Sequence, residues 1–284
     1  MFLPLYIDWK VDPNLLEDPV TIRWYGLFFA LAFLLGHKLL ERIFKNEGVS
    51  EKQLDKVLIY TMVGTIIGAR LGHVIFYDPQ YYWENLAEIP KIWKGGLASH
   101  GGAIGIILAL WLFSRWVSKR SILWILDRVV VPIALGGMFI RFGNLMNHEI
   151  VGAKTSVPWA FVFDPSYCFP CGPSPDPRHP SQIYEALAYL AIFAILFRMY
   201  WVKKAYLKEG LLLGSFLTLV FSARFIIEFV KDYQAEFLEG WFLTMGQLLS
   251  IPFILAGVLL VYRAQRRGVG MEKTNEREAE EPSS

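Results

Sequence analysis

Trp241-Phe242-Leu243-Thr244-Met245-Gly246-Gln247-Leu248-Leu249-Ser250-Ile251-Pro252-Phe253-Ile254-Leu255-Ala256-Gly257-Val258-Leu259-Leu260-Val261-Tyr262 contains no charged side chain. A helix needs about twenty such residues to cross roughly 30 Å of hydrocarbon, so this stretch reads as a transmembrane span. Working outward, comparable apolar stretches lie near residues 22–40, 57–77, 97–117, 122–146, 183–202 and 211–230. Residues 1–262 are therefore predicted to be a single all-α polytopic domain of seven transmembrane helices. No basic n-region, short apolar core and small-residue cleavage site opens the chain, so the first span reads as a retained helix. The composition agrees: 54% of the 284 residues are hydrophobic and 19% charged, against roughly a quarter charged in a soluble domain. A net charge of +2 gives no global polybasic signal, so nucleic acid is not an expected partner.

The 28 Lys and Arg residues fix the orientation, because positively charged short loops stay cytoplasmic. Seventeen fall in the connections after spans one, three and five and in the tail, among them Arg115, Lys119 and Arg120. Six fall on the opposite face: Lys10, Lys91, Lys94, Lys154, Arg178 and Lys231. The N-terminus is predicted outside and the C-terminus inside. The long connections, about 78–96 and 147–182, are then extracytoplasmic, and loops of such length usually carry function. Trp83, Trp93, Tyr81, Tyr82 and Trp241 fit interfacial anchoring. The charged segment 263–284 reads as a disordered cytoplasmic tail.

Five arginines remain within or at the edge of spans: Arg23, Arg70, Arg128, Arg141 and Arg224. By helix rise, Arg70 and Arg224 sit roughly 10 Å below the outer surface, and His100 and Arg141 about 5–8 Å below it. Tyr25, Glu185 and Glu228 enter at the same side. An isolated arginine in hydrocarbon costs at least ~2.5 kcal/mol, so several at one depth imply partners or water. Arg224 and Glu228, four residues apart, are spaced for a salt bridge. Asp127 and Arg128 lie near the cytoplasmic end of span four, where a structural or snorkelling role fits. Arg70, Arg141 and Arg224 outnumber obvious carboxylate partners, which leaves room for an anion. In a lipid-facing protein that anion is most simply a phospholipid phosphate, which guanidinium grips bidentately. Glycines at 64, 68, 72, 95, 96, 101, 102, 136, 137 and 143 allow close helix approach or irregular backbone.

Seven strings in order then carry a resemblance over nearly the whole chain. They are Ile22-Arg23-Trp24-Tyr25-Gly26, Gly68-Ala69-Arg70-Leu71-Gly72, Gly95 to Gly102 (GGLASHGG), Arg141 to Glu149 (RFGNLMNHE), Arg178 to Glu185 (RHPSQIYE), Arg224 to Phe229 (RFIIEF) and Met245-Gly246-Gln247. Together they resemble the bacterial prolipoprotein diacylglyceryl transferases. The resemblance implies seven transmembrane helices with the N-terminus outside, in the cytoplasmic (inner) membrane. It implies transfer of the diacylglyceryl group of phosphatidylglycerol to the lipobox cysteine thiol of a preprolipoprotein, the first step of lipoprotein biosynthesis. A thioether forms and glycerol phosphate leaves. No cofactor is expected, and the chemistry requires no metal in principle.

The resemblance carries functional importance to Tyr25, His100, Arg141, Asn144, Glu149, Gly152, Arg224 and Glu228, with Arg70 and Asn147 added as substrate contacts. Arg141 and Arg224 are expected to hold the phosphate and stabilise charge on the leaving oxygen. Tyr25, Arg70 and Asn144 would orient the headgroup. His100 is the candidate base, since an imidazole titrating near 6.5 accepts a proton at neutral pH; its alternative role is to hydrogen-bond a glycerol hydroxyl or the glycine-rich backbone.

The sequence departs from the family pattern at Ile140, where Gly is common, at His148, where a small residue is frequent, and at Lys231, often Arg. Cys168-Phe169-Pro170-Cys171 looks like a local elaboration, open to a disulfide, free thiols or a metal. Rival readings fit less well. A transporter predicts polar residues through the whole membrane depth, whereas the outer leaflet is favoured here and the last span is bare. A retinal receptor wants a lysine between Trp241 and Tyr262, and none is there. A serine protease is disfavoured because adjacent Ser99 and His100 point about 100° apart on a helix. A haem protein using His73 and His100 has no further support.

Overall fold

Gly64, Gly68 and Gly72 recur at every fourth position of α2 (Glu51–Phe76) and face Gly101, Gly105 and Ala109 of α4 (Ser99–Phe113). A Cβ at Gly72 would lie 2.6 Å from the Gly101 Cα, and one at Gly64 2.7 Å from the Gly105 carbonyl oxygen. Small residues at this spacing let two backbones touch, which is how helices associate where no hydrophobic effect drives them together. This pair forms the centre of one compact unit, residues 37–128; residues 1–36 and 129–284 form a second. The computed structural model describes residues 6–18, 21–173, 175–232 and 243–280, without the side chains of Lys94, Ser99 and 268–280.

The remaining long helices are α1 (Trp24–Asn46), α5 (Ile122–Met146), α6 (Ser181–Trp201), α7 (Leu211–Ile227) and α8 (Met245–Glu280); a short α3 (Pro79–Glu84) follows α2. Six stretches, Glu51–Phe76, His100–Ser118, Ile122–Met146, Ser181–Trp201, Leu211–Val230 and Met245–Arg267, are long and apolar enough to cross a membrane. This is a multi-pass membrane protein. The expected first span is a helix of adequate length, and it exposes Phe29, Phe33 and Leu34. It falls outside the set of six because His37-Lys38 and Glu41-Arg42 interrupt its apolar run. Trp241 and Phe242, which open the last expected span, lie outside the described residues, as do most side chains of the expected charged tail.

Four short strands were not expected from an all-α reading. β1 (Ile7–Trp9) pairs in parallel with β4 (Phe161–Phe163), and β2 (Asn14–Leu16) pairs antiparallel with β3 (Ile22–Arg23). Runs of two or three residues are too short to show the alternation that marks a strand. Phe161 and Phe163 pack into a cluster with Leu145, Val151, Cys168 and Cys171, against which Trp9, Phe142 and Ile183 also lean. Cys168 and Cys171 are joined as a disulfide. His148, with φ of 53°, is buried in the same region and shares a 2.8 Å bond with the Val11 carbonyl.

Arg128 does not snorkel. It is 2% exposed and pairs with Glu47 at 2.6 Å, while Trp124 Nε1 donates to the same carboxylate at 3.1 Å. A buried arginine at the end of a span thus has a structural partner, as an unpaired charge there would be costly.

Candidate active site

Arg141 and Asn144 stand three residues apart on one face of α5 near its C-terminal end. Arg141 Nη1 donates to Asn144 Oδ1 at 3.1 Å, and Asn144 Nδ2 donates to Glu149 Oε1 at 2.8 Å. Asn147 Nδ2 adds a 3.4 Å bond to the same carboxylate oxygen. Gln182 Nε2, in the first turn of α6, donates to the Glu149 carbonyl at 2.7 Å and so fixes the turn that follows α5. On the other side, Arg141 Nε lies 2.7 Å from Glu185 Oε2. That is an ion-pair distance, but the N–H is not aimed along it and the oxygen accepts no aligned hydrogen bond. Lys231 Nζ holds Glu185 Oε1 at 2.7 Å and lies 3.7 Å from Glu228 Oε2. One continuous relay therefore runs from Glu149 through Asn144, Arg141, Glu185 and Lys231 to Glu228.

Arg224, on α7, is the exception. It is half-buried and lines a small cavity with Glu185, Tyr189 and Ile192, yet its guanidinium has no hydrogen bond or ion pair among the described residues. The cavity, ≈ 10 Å³, has room for about one water. The expected pairing of Arg224 with Glu228 is not made, although the Glu228 N–H still bonds the Arg224 carbonyl and the helix is unbroken between them; the Glu228 carboxylate lies instead 3.7 Å from Lys231 Nζ. The same carboxylate lies directly over Gly246, where an added Cβ would collide with it. Met245-Gly246-Gln247 thus leaves space for an acid.

The other expected residues of this unit have clear positions. The Tyr25 ring packs on Gly143, whose Cβ would come within 2.7 Å of it, and the tyrosine feels both Glu149 and Arg141 electrostatically. Gly152 lies under the backbone of His179 and Val230; an added Cβ would sit 2.8 Å from the Val230 oxygen. Its carbonyl accepts from Arg178 Nη1 at 3.1 Å, and the same nitrogen binds Asp232 at 2.6 Å. Just before α6, burial holds the His179 imidazole below its ordinary pKa, which favours the neutral ring.

Arg70 and His100 belong to the unit of residues 37–128. Arg70 is 4% exposed and spends its guanidinium on backbone: Nε donates to the Ile89 carbonyl and Nη2 to that of Glu88, both at 2.7 Å. Nη1 donates to the carbonyls of Gly95 at 2.7 Å and Gly96 at 3.2 Å. These glycines have φ of 86° and 71°, a conformation other residues resist. Four of the five N–H bonds that a guanidinium can offer are thereby engaged. His100 opens α4 with an exposed side chain and no hydrogen bond among the described residues.

The family model for prolipoprotein diacylglyceryl transferase matches residues 13–263. The chain belongs to the prolipoprotein diacylglyceryl transferase family. It is 48% identical over 254 residues to the phosphatidylglycerol–prolipoprotein diacylglyceryl transferase of Tolumonas auensis, covering 89% of this chain and 95% of the relative. Identity to the protein of that name from Porphyromonas gingivalis is 47% over 280 residues, and to that from Chloroherpeton thalassium 45% over 271; each alignment covers 95% of this chain and 98% of the relative.

Glu185, Lys231 and Gln182 were absent from the residues expected to form the transferase site, although they tie it together. Glu185 is the hub, held by one cation from α5 and another beyond α7. The available signal was its position, an acid one turn inside a span; its partners could not be read from spacing because they lie on other helices. Lys231, set apart only as a departure from the family's usual arginine, brings one nitrogen within ion-pair distance of two carboxylates.

Proposed function

We propose that this member of the transferase family moves the diacylglyceryl group of phosphatidylglycerol to the lipobox cysteine thiol of a preprolipoprotein. The thiol sulfur bonds to the glyceryl carbon, the bond from that carbon to the phosphate oxygen breaks, and glycerol phosphate leaves with the electron pair. The thiol proton passes to His100, whose exposed imidazole has no competing protein partner among the described residues. The protein would work from the bacterial cytoplasmic membrane, with seven crossings that include α1 and with the N-terminus outside.

The observation that carries the reading is Arg224. A half-buried guanidinium without an acceptor among the described residues, beside the Glu185 relay, is a cation suited to an anion. Arg141 would join it: Glu185 and Asn144 steer Nε and Nη1 and leave Nη2 for the phosphate. The cleft beside Arg224 holds about one water, so a headgroup must spread α6 and α7 to enter. Asn144, Asn147, Glu149 and Tyr25 orient the headgroup around Arg141, and Gly152 and Glu228 shape the wall. For Arg70 the four carbonyl bonds favour a positioning role, holding residues 88–96 in place.

The test is to incubate purified protein with phosphatidylglycerol and a lipobox peptide and follow the diacylglyceryl adduct and free glycerol phosphate by mass spectrometry. Both products are expected in equal amounts. Arg224→Gln should lower turnover by about 10²- to 10³-fold, the cost of removing one preorganised charge donor. Solute or ion flux without adduct would overturn the reading, and unchanged turnover in His100→Gln would remove its assignment as base.

A further inference from the structure

At the end of α4 remote from His100, the helix widens into a π turn over Ser114–Ser118, and Lys119 follows in the left-handed region with φ of 54°. Such turns are rare and often mark functional sites. Here the widening opens a cavity of ≈ 410 Å³ lined by Trp111, Ser114, Arg115, Lys119, Arg120 and Ile122. Three of the six lining residues are cations and none is an acid. Among the described residues, neither Arg115 nor Lys119 has an ion pair. The Arg120 guanidinium lies 4.4 Å from the Trp124 ring centroid, and its backbone carbonyl accepts from Ser114 Oγ. Trp124 in turn donates Nε1 to Glu47, a carboxylate that Arg128 holds.

We propose that this cavity is a binding site for the phosphate-bearing headgroup of an anionic phospholipid in the leaflet opposite the His100 end of α4. Three cations around a concave wall, none with an ion pair among the described residues, suit a phosphodiester, and guanidinium groups can grip it bidentately. Exposed Trp111 and Trp116 flank the site at 50% and 65% exposure, as amphipathic rings do at headgroup level. Basic pockets at helix ends on the cytoplasmic side are known to take such headgroups. A lipid seated here would brace the α4–α5 corner, and the proposal is independent of the transferase reading.

The test uses the full chain purified into mild detergent, with native mass spectrometry counting bound cardiolipin, phosphatidylglycerol and phosphatidylcholine. Wild type should retain one more anionic lipid than Arg115→Gln/Lys119→Gln/Arg120→Gln, with no difference for phosphatidylcholine. At about fivefold in affinity per charge near the surface, the triple variant should bind roughly a hundredfold more weakly. The control removes three cations elsewhere, Lys203→Gln/Lys204→Gln/Lys208→Gln. An equal loss in that control would reveal diffuse charge attraction and overturn the site. Inorganic phosphate displacing the lipid at equal concentration would overturn the lipid assignment. If the triple variant unfolds, Arg115→Gln and Lys119→Gln singly, both exposed and without ion pairs, should each show the fivefold effect; no change in either overturns the proposal.

Discussion

His179 and Tyr184 show how much one residue's surroundings decide. Trp159 Nε1 donates to the Tyr184 hydroxyl at 2.8 Å, and the hydroxyl lies 3.1 Å from His179 Nδ1. A neutral imidazole with its proton on Nε2 fits this arrangement, and the downward shift that burial imposes favours the neutral state. The sign of the pH effect follows. A histidine with a folded pKa below its unfolded value binds protons more tightly when unfolded, so its stabilising contribution is present above the ordinary pKa of about 6.5 and is lost as pH falls through the folded value. Protonation at Nδ1 would also remove the acceptor for Tyr184. Wild type is expected to lose thermal stability below about pH 6.5 faster than His179→Gln, which keeps an acceptor but takes up no proton. Melting temperatures of both proteins across pH 5–8 check this, and parallel curves would contradict it.

At the scale of elements, the α2–α4 contact makes a sharp comparison between adjacent glycines. A Cβ at Gly101 would collide with the backbone of Gly68 and come within 2.7 Å of the Gly72 Cα, whereas one at Gly102 meets nothing nearer than 3.6 Å. Gly101→Ala must push the helices apart, at a cost of about 1–3 kcal/mol or more for overpacking. Gly102→Ala should cost less than about 1 kcal/mol, since alanine also favours the helix. Chemical unfolding of the two variants in detergent should separate them, and equal midpoints would refute the packing account. Gly64, Gly68, Gly72 and Gly101 were legible as sites of close approach because small residues are a one-dimensional signal, but the same signal took in Gly102, which has room for a Cβ. The helix ranges were legible for the same reason: apolar runs are local. The turn of the Glu228 carboxylate toward Lys231 was not, since a four-residue spacing to Arg224 says that the two residues share a helix face and not which partner each side chain takes. The relay through Glu185 was hidden too, because Arg141, Glu185 and Lys231 come from separate elements whose juxtaposition no spacing encodes.

For the whole molecule, the open question is the first helix. Six stretches qualify as membrane-crossing by length and composition, and α1 does not, because five charged or titratable residues cluster in its second half. With six crossings alone, the segments before α2 and after α8 would share one side of the membrane. With seven, the segment before α1 lies on the opposite side from both: Lys10 outside, Lys52 and Arg267 inside. The distribution of Lys and Arg favours seven, since His37, Lys38, Arg42 and Lys45 fall at the α1 end that meets the basic α1–α2 connection, as the positive-inside rule requires. The exposed Leu27, Phe29, Phe33, Leu34 and Leu35 of the first half supply a lipid-facing surface. The chain has two cysteines, both in the Cys168–Cys171 disulfide, so single thiols can be introduced at Lys10 and Lys52 without background labelling. A membrane-impermeant maleimide applied to intact spheroplasts should label Lys10→Cys at once and Lys52→Cys only after permeabilisation. Labelling of both before permeabilisation, or of neither, would mean that α1 does not cross the membrane; in the first case the charge count would have misplaced Lys52, in the second the N-terminus.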